Sequence, residues 1–173
     1  MKKCSLILII ASFFTYNSCS TGNEKKIVLD TKPPVTAKDP KNAFNLLEQA
    51  NNERRYNNNN TKAVRGYISL IEKEPNFVPA YMDFFRWVFD EEVYIDDKEI
   101  IANKYQVILD SIIKYGTEYE KLIYKADSIH RNSGFGDSLS WVKKHEITRE
   151  LVMKFPNSGD AFFVKSRYHP NNN

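Results

Sequence analysis

From Ala43 to Phe155 the apolar side chains recur three and four residues apart, and this spacing fixes the kind of fold open to the chain. The groups are Ala43, Leu46, Leu47 and Ala50; Val64, Tyr67, Ile68 and Ile71; Tyr81, Phe84, Phe85, Val88 and Phe89; Ile101, Tyr105, Ile108, Leu109 and Ile112. Tyr119, Leu122, Ile123 and Ala126 continue the pattern, followed by Ile147, Leu151, Val152 and Phe155. Residues so spaced share one stripe of a helix, whereas a half-buried strand would alternate. The expected fold class is therefore all-α. Asp39-Pro40 predicts the first start, because Asp caps well and Pro at the first helical position has no amide hydrogen to leave unpaired. Asp96 with Glu99, and Thr117 with Glu120, have capping-box spacing, and Pro79 and Asp137 suggest two further starts. Turns are expected at 57–60, 75–77, near 94–96, at Gly116, at 132–136 and at 156–159, which leaves about seven helices.

The turns at Pro75, Gly116 and Pro156 lie 41 and 40 residues apart. Four residues before each stand Ile71, Ile112 and Val152; two before, Lys73, Lys114 and Lys154; six after, Tyr81, Leu122 and Phe162. The apolar positions are expected in a shared core, and the lysines in the last helical turn, where positive charge suits the dipole. A period of this length indicates repeated helical hairpins. Ala63, Tyr67 and Pro75 are spaced as in the second helix of a tetratricopeptide repeat, and Glu74-Pro75-Asn76 before Ala80-Tyr81 resembles the junction to the next repeat. Phe155 to Ser158 before Ala161-Phe162 resembles it again. The resemblance implies a right-handed superhelical stack of about three antiparallel hairpins with a short C-terminal capping helix. The chain departs from that family in its period, near 40 rather than 34, in Glu48, Phe85 and Ile123 where small residues are expected, and in Gly116 for Pro. An irregular helical bundle accounts for the same periodicity.

A different signal occupies the first 19 residues. Lys2 and Lys3 precede an apolar run from Leu6 to Phe14, then Asn17, Ser18 and Cys19. This is the order of a secretory signal peptide, and the run is too short for a membrane-spanning helix. The segment resembles that of a bacterial lipoprotein, with Tyr16 where the family's motif usually has Leu, and the resemblance implies that Cys19 is lipidated and becomes the first residue. The expected organisation is a signal peptide over 1–18, a lipid-anchored flexible tether over 19–38, a helical domain over 39–168 and a disordered tail over 169–173. The implied location is the bacterial cell envelope, at the outer membrane facing the periplasm.

With Cys4 removed and Cys19 acylated, no cysteine remains for a disulfide. Taking Lys2 and Lys3 from the 25 basic residues leaves near balance with the 22 acidic ones, which argues against a nucleic-acid partner. His145-Glu146 begins like a zinc-protease motif, but Arg149 stands where the second His belongs. His130, His145 and His169 are scattered. The acidic residues at 90–92, 96, 97 and 99 lack calcium-loop spacing, and the glycines at 134 and 136 lack the rest of a phosphate loop. No metal, cofactor or enzymatic activity is expected. Aromatics make up 13% of the chain; most have core spacing, while Tyr56, Trp87, Tyr94 and Trp141 have a phase that leaves room for binding at the surface. The expected function is a membrane-anchored module that binds another envelope protein, the alternative being a small-ligand or glycan-binding lipoprotein.

Overall fold

The computed structural model describes residues 32–132 and 138–168, and among them the chain forms seven α-helices. They are α1 (Pro40–Asn57), α2 (Asn60–Lys73), α3 (Val78–Trp87), α4 (Lys98–Ile112), α5 (Glu118–Asn132), α6 (Ser138–Lys154) and α7 (Gly159–Tyr168), with a 3-10 turn at Ile113–Tyr115. The all-α expectation holds. Residues 1–31, 133–137 and 169–173 lie outside the described residues, and with them the signal peptide, Cys19, Asp137, most of the turn at 132–136, His169 and the tail.

Local chemistry explains most boundaries. Asp39 accepts the amide of Asn42 at 3.1 Å and Pro40 opens α1. The asparagine run then builds the turn into α2. Asn58 takes the left-handed conformation at φ 52°, which Asn tolerates better than most residues, and Asn59 caps α2 by accepting the amide of Lys62 at 2.9 Å. Asn60 reaches across to Glu92 at 3.0 Å, tying this turn to the segment after α3. The Thr117–Glu120 box forms in both directions, at 3.2 and 2.8 Å. The Asp96–Glu99 box does not. Asp97 lies at φ 54° and becomes the residue before α4, so the spacing slips by one and no side chain caps this helix.

Successive helices pack on their neighbours: α1 on α2, α2 on α3, α5 on α6, and α6 on α7. The second link is central, because α3 also touches α4 and α5 and is buried at every position from Val78 to Phe84. Edge-on aromatic pairs fill the joins: Phe44 on Phe77 at 5.2 Å, Phe84 on Tyr105 at 5.1 Å and Tyr119 on Phe155 at 5.5 Å. Between α1 and α2, Gly66 lies against Ala50, where a Cβ would approach to 2.8 Å.

Two expectations need correction. Of the aligned apolar positions, Ile71, Tyr81 and Leu122 are buried and Ile112 is half-buried, but Phe162 is exposed. Ser158 caps α7 through the amide of Ala161, and this phase turns Ala161 into the core instead. The expected tether also ends early, since residues 32–38 form a strap packed on the helices. Pro33 is buried and Val35 and Ala37 rest on the core. Glu120, fully buried, accepts both the amide of Thr36 at 2.8 Å and its hydroxyl at 2.7 Å, while Glu74 accepts the amide of Lys38 at 2.9 Å. Two carboxylates thus replace the pairing partners that an extended backbone would find in a sheet. Gly116 keeps the space: a Cβ there would stand 3.4 Å from the Glu120 carboxylate.

Candidate functional site

An open cleft of about 200 Å³ runs across α1, α3 and α5 and is closed on one side by α7. Phe44, Leu47, Glu48, Asn51 and Arg55 of α1 line it, together with Pro79, Met82, Asp83 and Arg86 of α3. Tyr119, Ile123 and Asp127 come from α5, and Asp160, Phe163 and Val164 from α7. Each set is one face of a helix, three and four residues apart, so the arrangement follows from helical phase.

The floor is polar and buried. Tyr67 of α2 donates its hydroxyl to Asn51 Oδ1 at 2.8 Å, and Asn51 Nδ2 donates to Asp83 Oδ2 at 3.0 Å. This chain crosses three helices and sets α1 against α3, because a buried polar group that lost its partner would cost about 1–3 kcal/mol. Along α5, Asp127 is buried and pairs with Arg131 at 2.7 Å. The rim is cationic and stacked: Arg55 lies 4.5 Å from the centre of the Phe163 ring. Lys32 lies 4.9 Å from that of Phe44 while pairing with Asp160 at 3.1 Å. Apolar walls, a hydrogen-bonding floor and charged edges suit a ligand with apolar side chains and a polar backbone. Among the described residues, the lining contains no Ser, Thr, Cys or His. Among the described residues no group of three or more His, Cys, Asp or Glu is placed to hold a metal ion.

The four aromatics marked from the sequence stand elsewhere. Tyr56 on the last turn of α1 and Tyr94 before α4 are exposed, and neither lines the cleft. Trp87 is half-buried with the Arg54 guanidinium 4.1 Å from its ring centre. Trp141 on α6 has the ammonium of buried Lys144 at 4.4 Å. The cleft residues carried one legible signal, polar groups at core phase: Asn51 four after Leu47, Asp127 four after Ile123, and Asp83 inside an otherwise apolar run. Compared with known proteins, the chain matches no family model, no curated protein and no solved structure.

Proposed function

We propose that this chain is a lipid-anchored, divergent tetratricopeptide-like module of the cell envelope that binds an extended segment of another protein in the cleft across α1, α3 and α5. One observation carries the reading: α1, α3 and α5 each turn a mixed apolar and polar face toward one cleft, with α7 at its end. Stacked hairpins use such faces for recognition. Beside the cleft, the start of α5 already holds the backbone of the strap, with Glu120 accepting the Thr36 amide and Thr117 donating to the Pro34 carbonyl at 2.7 Å. A small-ligand or glycan role draws less support, because Tyr56, Trp87, Tyr94 and Trp141 do not converge on the cleft. The lipid anchor rests on the resemblance at Cys19.

Affinity capture from detergent-solubilised membranes tests the reading. A stoichiometric protein should be retained, and Met82→Arg, which places a charge in the apolar wall, should reduce its retention at least tenfold while Tyr94→Ala leaves it unchanged. Repeated capture without such a protein, or capture indifferent to Met82→Arg, would overturn it. For the anchor, Cys19→Ala should abolish lipid labelling and leave the precursor uncut; unchanged labelling would refute it.

A further inference from the structure

We propose that the outer face of α2 is where a second copy of this chain docks, the two copies lying antiparallel across a two-fold axis. On α1, Leu47 and Asn51 face the cleft, while the opposite stripe, Leu46, Gln49, Ala50 and Glu53, lines a second groove of about 360 Å³ between α1 and α2. The far wall of that groove is a stripe of α2, Lys62, Arg65, Ser69 and Lys73, all exposed, with Gly66 among them. Lys62 pairs with Glu53 at 2.8 Å, whereas Arg65 and Lys73 form no ion pair among the described residues. The two ends of α2 are charged in opposite senses. Its first turn holds the acidic segment that follows α3: Asn60 donates to Glu92 at 3.0 Å and to Asp90 at 3.3 Å, and Thr61 donates to the Glu92 carbonyl at 3.1 Å. These donors are neutral, and among the described residues none of Asp90, Glu91, Glu92, Asp96 and Asp97 is in an ion pair. The last turn carries Lys73, and Lys38, also exposed, is held beside it by its amide on Glu74.

Such a face complements itself when it is turned end for end. In an antiparallel pair centred at the level of Tyr67, Thr61 lies opposite the partner copy's Lys73, Lys62 opposite Glu72, and Arg65 opposite Ser69. The acidic segment of each copy then meets Lys73 and Lys38 of the other. Glu72, exposed beside the basic end, gains Lys62, and Arg65 meets a hydroxyl rather than its own copy. Gly66 stands next to the crossing and lets the two axes come close. Every contact is made twice, because a two-fold interface presents the same patch from both sides. An anionic bilayer fits this face poorly: the lipid that attracted Arg65 and Lys73 would also face the carboxylates at the other end of the helix. The surface lies on the side of α1 away from the cleft, so the proposal goes beyond the partner reading and does not depend on it.

The test is sedimentation equilibrium of the full chain in density-matched detergent, with two charge-reversed variants. The unmodified chain should reach a monomer–dimer equilibrium with no larger species, and the dimer should weaken as salt rises, because its pairs lie near the surface. One variant carries Arg65→Glu and Lys73→Glu, the other Glu91→Lys and Glu92→Lys. Each alone should dimerise at least tenfold more weakly, since like charges then face each other at both ends. An equimolar mixture of the two should recover the dimer to within threefold of the unmodified chain, as each reversed patch meets the patch it now complements. Recovery also shows that both variants are folded. A monomeric unmodified chain overturns the proposal, whether the groove then takes an acidic partner or anionic lipid. So do a dimer indifferent to the substitutions, weakening that mixing does not repair, and growth into longer assemblies, which would mean head-to-tail contacts in place of a two-fold pair.

Discussion

Helices α3 and α4 follow one another in the chain, yet they are held by opposite means. The ten residues of α3 include seven consecutive buried ones, and the helix touches α2, α4 and α5. The fifteen residues of α4 bury only Ala102, Tyr105 and Leu109, and leave Ile100 and Val107 in water. Length and apolar content therefore do not set a helix's contribution; the number of sides on which it is enclosed does. The ends differ in the same sense. Neither helix has a side-chain cap at its start, but entry to α3 is braced by Tyr81 donating to the Pro75 carbonyl at 2.8 Å, whereas α4 starts from a left-handed Asp97.

The sharpest way to break this contrast is truncation. Phe84 is fully buried against Phe85 and Tyr105, so Phe84→Ala should cost about 3–5 kcal/mol in urea unfolding. Val107→Ala on the exposed face of α4 should stay within about 0.5 kcal/mol. Similar losses at the two positions would show that α4 carries as much of the core as α3.

The same contrast marks what could be read from the sequence. Helical phase, the caps at Asp39 and Thr117 and the turns at Pro75, Gly116 and Pro156 depend on residues within a turn of one another, and they were legible. The strap was not, because the acceptors for Thr36 and Lys38 lie 84 and 36 residues away, and no local pattern announces a buried glutamate as a docking point. The cleft was half legible. Asp83 stands out in its apolar run, but that it meets Asn51 rather than solvent depends on how α1 lies across α3.

A smaller effect joins the two helices through their tyrosines. Burial, with Tyr105 nearby as the lesser cause, pushes the Tyr81 hydroxyl well above its ordinary value of 10. Burial, then the charge of Glu72, raises Tyr105. Because the folded state keeps these protons longer than the unfolded one, their contribution is complete below pH 10 and is lost as pH rises through 10 toward the raised values. Stability should fall as pH rises above 10, at up to about 1.4 kcal/mol per pH unit for Tyr81, with Tyr105 adding in the same direction. Phenolate absorbance should rise for these two only with loss of the helical signal. Their ionisation in a folded chain would mean that the contact between α3 and α4 opens freely.

The smallest effect separates two starts that look alike in the sequence. Thr117 accepts the Glu120 amide and donates to the Pro34 carbonyl, so Thr117→Ala removes a cap and one strap contact, at a cost of about 1–2 kcal/mol. Asp96→Ala should change stability by less than about 0.5 kcal/mol, since Asp97 and not Asp96 precedes α4 and neither caps it. Both values come from urea unfolding of single variants, with amide exchange in α4 as a second readout. A thinly enclosed helix should exchange through local opening before α3 does. If Asp96→Ala instead cost as much as Thr117→Ala and speeded exchange in α4, the box at Asp96 and Glu99 would be formed in solution, and the weakness assigned to the start of α4 would be gone.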